Sequence, residues 1–213
     1  MTSKTLLLLA LLPTLLLAAP RSAREITMDA DTNALVTLGG GCFWCIEAVF
    51  RRVEGVLGAT SGYMGGSEEH PTYAQVSSGE TGHVEVVQVR FDPRRLGYRQ
   101  LLEVFFAVHD PTDAEGQGND RGSQYRPVVF FHSPEQQREA RILMGQLEQS
   151  HHFERPLATA LEPAVRFWPA EEYHQAYYET NGAAPYCRII IGPKVEKLRK
   201  KFAALAQEPL PPH

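Results

Sequence analysis

The chain has 213 residues, of which 43% are hydrophobic, and its formal net charge is -4. This size and apolar content suit one globular domain with its own core. Because no region concentrates basic residues, a nucleic-acid partner is not expected. A purely structural disulfide framework would leave one of the three cysteines unpaired. A redox role explains this odd number better, with one attacking thiol and one or two partner thiols.

The first residues resemble a secretory signal. Lys4 supplies the positive start, the segment 6–17 is apolar, and small residues up to Ala23 suit a cleavage zone. We therefore expect residues 1–19 to be a signal peptide, with the cut position open, and the protein to be exported to the periplasm. The alternative is an uncleaved anchor, although a membrane span needs about 20 apolar residues.

Between the two ends of the chain, predicted strands and helices alternate, which indicates one mixed α/β or α+β domain over residues 34–205. Residues 20–33 are expected to be loose, and the proline-rich residues 206–213 to form a disordered tail. The predicted strands are 34–38, 56–63, 83–91, 128–131 and 164–167. The first predicted helix starts at Cys42 and continues to Val53. Further helices are predicted at 98–106, 134–150 and 171–180, and the last one begins after Pro193.

A strand, three glycines and a helix meet at Cys42. Gly39, Gly40 and Gly41 predict a tight strand-to-helix turn that places Cys42 at the helix N-terminus. Backbone N–H groups and the helix dipole favour an anion there. We therefore expect the pKa of this cysteine to lie below its free value of about 8.5, which would make it nucleophilic.

Two large aromatic residues follow this cysteine directly. Phe43 and Trp44 lie in the first helical turn and offer a wall for an apolar group. The alternative is that they only pack under a loop, because exposed adjacent aromatic rings need cover. An activated thiol beside an aromatic wall suggests sulfur chemistry on a small apolar target.

A carboxylate falls on the apolar face of the strand 83–91. Alternation along this strand puts Glu85 on the same face as Val87, Val89 and Phe91. Burial would raise the pKa of this carboxyl and make it a proton donor near neutral pH. Alternatively, Glu85 is wet at the strand end or paired with a nearby arginine.

The segment 109–126 is a long loop rich in Gly, Asp and Asn, and loops of this length inside a compact domain are usually functional or disordered. It offers Asp120 and Tyr125, and Tyr73 is a further possible hydroxyl donor. Each tyrosine alone is equally explained by ordinary packing. The histidines form no convincing ligand set, so no metal site is expected.

The remaining cysteines are candidates for a redox partner of Cys42. Cys42 and Cys45 have the C-x-x-C spacing of dithiol oxidoreductases. However, Cys45 lies on the apolar stripe of the helix, where a buried cysteine commonly acts as a small hydrophobe. Cys187 lies in a turn-rich segment that we expect to be mobile enough to approach another thiol.

Taken in order, the motifs resemble those of the A-type peptide methionine sulfoxide reductases over residues 34–202. Each motif is weak alone, and their combination is specific. The motifs are Gly-Gly-Gly-Cys42-Phe43-Trp44, Ser61-Gly62-Tyr63, Thr81-Gly82-His83-Val84-Glu85, His109-Asp110-Pro111-Thr112, Gly118-Asn119-Asp120-Arg121-Gly122-Ser123-Gln124-Tyr125-Arg126, Glu172-Tyr173-His174-Gln175 and Tyr186-Cys187.

The resemblance implies an α+β fold, a two-layer α/β sandwich with a ferredoxin-like core, extra helices and long loops. It also implies reduction of the S-epimer of methionine sulfoxide, free or in proteins. Cys42 matches the family's nucleophile, and Phe43 and Trp44 match the aromatic pair that receives the substrate methyl. Glu85 matches the acid. The groups around the sulfoxide oxygen match Tyr73, Asp120 and Tyr125.

The resemblance further implies that Cys187 resolves the oxidised Cys42 and that an external dithiol of thioredoxin type restores the thiols, with no bound cofactor. Many family members have glycine where this chain has Cys45, and some carry a further C-terminal cysteine that is absent here. We favour Cys187 over Cys45 as the resolving thiol. We also expect a monomer without stable membrane association once the signal is removed.

Two other functions compete with this interpretation. A general thiol–disulfide oxidoreductase would use Cys42 and Cys45, but it would give Glu85 and the loop residues Asp120 and Tyr125 no task. A non-enzymatic binding module would keep the fold with inert thiols.

Overall fold

The computed structural model describes residues 34–211. The expected signal peptide, the expected loose segment 20–33 and the last two residues lie outside this range. Within residues 34–211, no helix has the length and hydropathy needed to cross a membrane.

The centre of the fold is a β-α-β-β-α-β unit, and its four strands form an antiparallel sheet in the order β6-β1-β3-β2. This arrangement is the ferredoxin-like one, and the expected α+β class is confirmed. The unit consists of β1 (Ala34–Gly39), α1 (Phe43–Phe50), β2 (Val56–Met64), β3 (Val84–Phe91), α3 (Tyr98–Val108) and β6 (Val128–Phe131).

Short strands extend this sheet at both edges. Strand β7 (Ala160–Pro163) runs parallel to β6, and β8 (Trp168–Pro169) pairs antiparallel with β2. Helix α4 (Pro134–Gln149) lies between β6 and β7 in the sequence. The other elements are α2 (Tyr73–Ser77), β4 (Gly116–Gln117), β5 (Asp120–Arg121), α5 (Tyr177–Thr180), α6 (Gly192–Lys201), the 3-10 turns Ser123–Tyr125, Glu172–His174 and Ala203–Leu205, and the π-helical turn Cys187–Ile191.

The two faces of the sheet are covered differently. One face packs against the helices in the main core, which includes Val87, Val89 and Phe91 of β3. The opposite face carries a smaller apolar cluster against which the side chain of Phe167 packs. Because successive side chains of a strand point to opposite faces, the same strands supply apolar residues to both clusters. The candidate functional residues lie on the helix-covered face or at the edge of that face.

Most of the predicted elements are confirmed, but the strand at 164–167 is wrong. Strand β7 ends at Pro163, opposite the last residue of β6. Beyond it, only the N–H of Ala164 finds a strand partner, the carbonyl of Phe131. The chain then crosses the sheet face opposite the helices towards β8 at the other edge. Ala164 and Phe167 therefore pack on this face instead of adding a strand to the edge.

The helix predicted at 171–180 is also wrong, because tertiary contacts divide it. The amide of Gln175 bonds both the N–H and the carbonyl of Ser61 on β2. Ala176 then adopts a left-handed conformation with φ 49°, and its N–H donates to Glu47 Oε1 at 3.0 Å. Only a 3-10 turn and the single-turn helix α5 remain.

Three further boundaries differ from the predictions. Helix α1 ends at Phe50 rather than at Val53, which instead forms a bridge with Ala206. The loop 109–126 contains the β4–β5 hairpin and a 3-10 turn. Cys187, expected on a mobile segment, lies buried in the π-helical turn that leads into α6.

The C-terminal segment, for which we expected a disordered tail, is placed against the end of α1 as far as Pro211. The guanidinium of Arg51 donates to the carbonyls of Leu210 and Pro211 at 2.6 and 2.8 Å. The N–H of Leu210 donates in turn to the carbonyl of Arg51 at 2.9 Å. The side chain of Arg51 is fully buried, so these carbonyls and the ion pair with Glu179 replace part of its lost hydration.

Helix α4 begins at the predicted N-cap. The hydroxyl of Ser133 accepts a hydrogen bond from the N–H of Gln136 at 3.2 Å, and Pro134 occupies the first turn. We expect Ser133→Ala to lower the free energy of unfolding by about 1 kcal/mol in urea titrations, because one N–H loses its partner. Ser133→Asn, which restores a capping oxygen, should recover most of the loss. Equal stability of the alanine variant and the wild type would contradict this assignment.

Candidate active site

Cys42 follows a turn that only glycine fits. Gly41 has φ 87°, and its N–H donates to the carbonyl of Tyr125 at 3.1 Å. Cys42 follows as the N-cap of α1, with 8% of its surface exposed. The predicted position of Cys42 at the helix N-terminus is confirmed, and the turn ties it to the loop that carries Tyr125.

The first N–H of α1 fixes the carboxyl of Glu85. Phe43 N–H donates to Glu85 Oε2 at 3.1 Å, which joins the start of the helix to strand β3. Glu85 is 1% exposed, on the predicted apolar face. Burial raises its pKa to about 8, and the bond from Phe43 only partly offsets this effect. A carboxyl that is protonated near neutral pH therefore lies close to Cys42, and the alternative of a wet strand end is excluded.

The expected low pKa of Cys42 is wrong. Burial raises the pKa of this thiol well above its ordinary value, a hydrogen bond with Cys45 adds to the rise, and the nearby Glu85 charge adds further. The loss of hydration thus raises the pKa of Cys42 more than the helix N-terminus lowers it. Cys42 is therefore a protonated thiol at neutral pH.

The two aromatic residues after Cys42 have different environments. Phe43 is fully buried, with ring centroids 5.9 Å from Tyr63, 6.4 Å from Tyr73 and 5.0 Å from His174. Trp44 is half-buried and stacks on Tyr177 at 3.7 Å. Together with Tyr73 they form an aromatic group at the start of α1.

The hydroxyl candidates gather around the same carboxyl. Burial raises the pKa of Tyr73 and of Tyr125, and for both the charge of Glu85 is the next cause. Both phenols therefore stay protonated and can donate hydrogen bonds at neutral pH. Asp120, from the β4–β5 hairpin, accepts the hydroxyl proton of Tyr186 at 2.7 Å. Asp120 is thus linked to the thiols through Tyr186, whose hydroxyl also contacts the sulfur of Cys45.

Sequence reasoning gave no role to three residues that organise this site. The indole N–H of Trp44 donates to His174 Nδ1 at 3.1 Å. Glu171 accepts from the hydroxyl of Tyr63 and from the N–H of Tyr73, both at 2.9 Å. His174, Glu171 and Tyr186 lie in or beside the motifs Glu172-Tyr173-His174-Gln175 and Tyr186-Cys187, which were the signal in the sequence that pointed to them.

A cavity of about 500 Å³ opens beside the two thiols of α1. Cys42, Cys45, Asp120 and Tyr186 line it, and Ile189, which is 67% exposed, stands at its edge. Among residues 34–211, no group of three or more His, Cys, Asp or Glu side chains is arranged to hold a metal ion. The chemistry available in this part of the chain is that of thiols, a protonated carboxyl and phenols.

Such a set defines a thiol-based oxidoreductase. The family model described as peptide methionine sulfoxide reductase matches residues 34–206. The chain is 52% identical to the peptide methionine sulfoxide reductase MsrA of Thermus thermophilus over 171 residues, covering 80% of this chain and 96% of the relative. It is 50% identical to that of Ralstonia nicotianae over 186 residues, covering 84% and 97%.

Solved structures agree with these sequence matches. Mxr1 from Saccharomyces cerevisiae in reduced form superposes with a TM-score of 0.68 at 33% identity, covering 77% of this chain and 94% of that one. Methionine sulfoxide reductase A of Corynebacterium diphtheriae gives 0.65 at 30% identity, covering 71% and 76%. The chain belongs to the peptide methionine sulfoxide reductase family, and it is an enzyme that reduces methionine sulfoxide.

Two buried carboxyls make stability depend on pH. Burial raises the pKa of Glu47 to about 7 and that of Glu85 to about 8, whereas an unfolded glutamate titrates near about 4.3. Between these values the folded protein holds protons that the unfolded chain releases, so the free energy of unfolding should fall as pH rises from about 5 to 8.

We expect Glu47→Gln and Glu85→Gln each to flatten this profile in urea titrations at a series of pH values. The matched control is Glu148→Gln, which changes an exposed carboxylate and should keep the wild-type slope. A slope that is unchanged in both buried-site variants would contradict the assignment.

Proposed function

We propose that this protein reduces the S-epimer of methionine sulfoxide, in proteins and as the free amino acid, with Cys42 as nucleophile and Glu85 as acid. One observation carries the proposal: the 3.1 Å bond from Phe43 N–H holds a carboxyl with a pKa of about 8 beside the only helix-terminal thiol of α1. A sulfoxide needs both groups, because its oxygen leaves poorly unless it is protonated.

Substrate orientation follows from the surroundings of Cys42. Phe43 and Trp44 form an apolar wall for the substrate methyl, and the phenols of Tyr73 and Tyr125 donate towards the sulfoxide oxygen. Asp120 organises this polar end through its bond to Tyr186. Discrimination between the two epimers then needs a third fixed direction, which the approach of the Cys42 sulfur to the substrate sulfur supplies.

In the first step, the Glu85 proton goes to the sulfoxide oxygen while the Cys42 sulfur bonds the substrate sulfur. The thiol proton of Cys42 then replaces the one that Glu85 gave up, so the carboxyl ends as it began. The hydroxyl then passes from the substrate sulfur to the Cys42 sulfur while the bond between the two sulfurs breaks, so methionine leaves as a thioether and Cys42 becomes a sulfenic acid. No net proton is consumed, and the protonated resting state of Cys42 fits this exchange.

In the second step, a thiol condenses with the sulfenic acid, water leaves, and a disulfide forms. We propose that Cys187 is the condensing thiol, as the family resemblance implies, and that an external dithiol of thioredoxin type returns the two electrons. Because Cys187 is 0% exposed within a π-helical turn, its participation requires that turn to rearrange.

We expect Cys42→Ser to abolish reduction of a racemic oxidised-methionine peptide with dithiothreitol as reductant. We expect Glu85→Gln to slow it by about 10²- to 10⁴-fold, which is the usual contribution of a positioned acid. The matched control is Glu47→Gln, the same change at a buried carboxyl whose oxygen bonds Ala176. Its rate should stay near that of the wild type.

Chiral analysis of the products should show that only one diastereomer disappears. Consumption of neither diastereomer by the wild type would contradict the proposed function. Reduction of insulin disulfides at a comparable rate would instead favour a general thiol–disulfide oxidoreductase.

The proposed place of action is the periplasm, and the proposed acting form is a monomer that needs no nucleic acid and no membrane contact. The support is the signal-like pattern of residues 1–19. Fused to a reporter that is active only after export, residues 1–33 should confer activity, and a Leu9→Arg change in the apolar run should remove it. An inactive wild-type fusion would contradict export.

A further inference from the structure

Ile189 has the most exposed side chain among the large apolar residues of the range 34–211, with 67% of its surface exposed. It lies in the π-helical turn Cys187–Ile191 and lines the cavity of about 500 Å³ that reaches Cys42. A single exposed apolar side chain is ordinary on a protein surface. One that borders the cavity beside the proposed nucleophile is placed where a substrate can cover it.

Ile189 is part of a larger apolar surface. Ile190 and Pro193 line the same cavity, and so does Tyr186, the residue that precedes the π-helical turn. All of them come from one continuous stretch of chain that leads into α6. We call these four residues, Tyr186, Ile189, Ile190 and Pro193, the apolar rim.

The rest of the cavity lining is different in character. The β4–β5 hairpin contributes residues 117–120, and Gly40 lines the cavity together with the two thiols of α1. Lys194 is also a lining residue, but its ammonium group donates to the carbonyl of Val108 at 2.7 Å, at the end of α3. A chain segment in this cavity therefore meets apolar side chains from the rim and polar groups from the hairpin, a combination typical of ligand sites.

The sulfoxide group itself does not fill this cavity in the proposed mechanism. Its methyl and oxygen go to Phe43, Trp44 and Glu85, and these three residues do not line the cavity. Cys42 does line it, so the cavity begins at the reacting sulfur. The space is consequently open to those parts of a polypeptide that lie next to the oxidised methionine.

The state of the thiols indicates which partner meets the rim. All three cysteines are free, so the described surface belongs to the reduced enzyme, which is the form that reacts with a sulfoxide. In the proposed second step, a reductant of thioredoxin type acts later and on a disulfide. The π-helical turn has by then rearranged, because Cys187 is 0% exposed in the reduced enzyme. The rim as it stands is therefore presented to the substrate.

We propose that the apolar rim binds an apolar side chain adjacent to the oxidised methionine, so that the enzyme favours methionine sulfoxide with apolar neighbours over methionine sulfoxide with polar ones. This inference rests on the proposed function and names its preferred substrate class. The physical cause is the removal of apolar surface from water when Ile189 and the neighbouring substrate side chain cover each other. Because this contact exists before and during the reaction, it acts mainly by lowering KM.

The test compares two peptides that carry one methionine S-sulfoxide and the same charged ends. One has leucine and the other has serine on both sides of the sulfoxide. The full chain is pre-reduced, freed of reductant and used in excess over dilute peptide, so each reaction is a single turnover and the rate of methionine formation gives kcat/KM. We expect the wild type to favour the leucine peptide by about 3- to 10-fold.

Ile189→Ser should bring the two rates close together, mainly through slower reduction of the leucine peptide. The matched control is Ile142→Ser, the same change at an isoleucine of α4 that is 51% exposed and does not line the cavity. It should keep the wild-type ratio. Ile189→Lys should lose the leucine preference and, relative to the wild type, gain a preference for a third peptide with glutamate on both sides. A damaged fold cannot produce such a gain.

The proposal is overturned if the wild type reduces the leucine and serine peptides with equal kcat/KM, or if Ile189→Ser slows both by the same factor. An unchanged ratio in Ile189→Ser also overturns it, and slower recycling of that variant by a thioredoxin-type dithiol would then assign the rim to the reductant. Failure of the proposed function is a separate result, because the wild type would then release methionine from neither peptide.

Discussion

The hydrogen bond from Phe43 N–H to Glu85 is the contact on which the active site depends. It joins the first turn of α1 to the central strand β3, and so sets Cys42 and Glu85, the proposed nucleophile and acid, side by side. It uses one oxygen of the carboxyl and leaves the other available for a proton. Because the bond favours the carboxylate, it also holds the pKa of Glu85 near 8 against the stronger effect of burial. One hydrogen bond therefore influences both the position of the Glu85 carboxyl and its pKa.

The sequence was most informative where the signal is local. Two-residue alternation identified β3 and placed Glu85 on its buried face, because a strand turns successive side chains to opposite sides. The cap at Ser133 defined the start of α4 from a short stretch of chain. Likewise, the glycines before Cys42 predicted the turn, since the positive φ of Gly41 suits no other residue as well.

Predictions were wrong where distant parts of the chain decide the outcome. The helix breaks at Ala176 because Gln175 bonds Ser61 and Ala176 bonds Glu47, two residues on other elements. The segment 164–167 packs on a sheet face that is built from distant strands, so its own residues do not reveal that it is not a strand. The helix-end rule for Cys42 failed for the same reason. The pKa of a thiol depends on how completely the surrounding residues bury it, and the residues that bury Cys42 come from distant parts of the sequence.

The enclosed state of Cys42 bears on how such an enzyme survives its own working conditions. Hydrogen peroxide attacks thiolates, so a thiol that keeps its proton is a poor target for that oxidant and escapes conversion to the irreversible sulfinic acid. With 8% of its surface exposed, this sulfur is also screened from bulky electrophiles. In the proposed mechanism the thiol gives up its proton only as it attacks a bound sulfoxide, so the burial that slows unwanted reactions of this sulfur still allows the repair reaction.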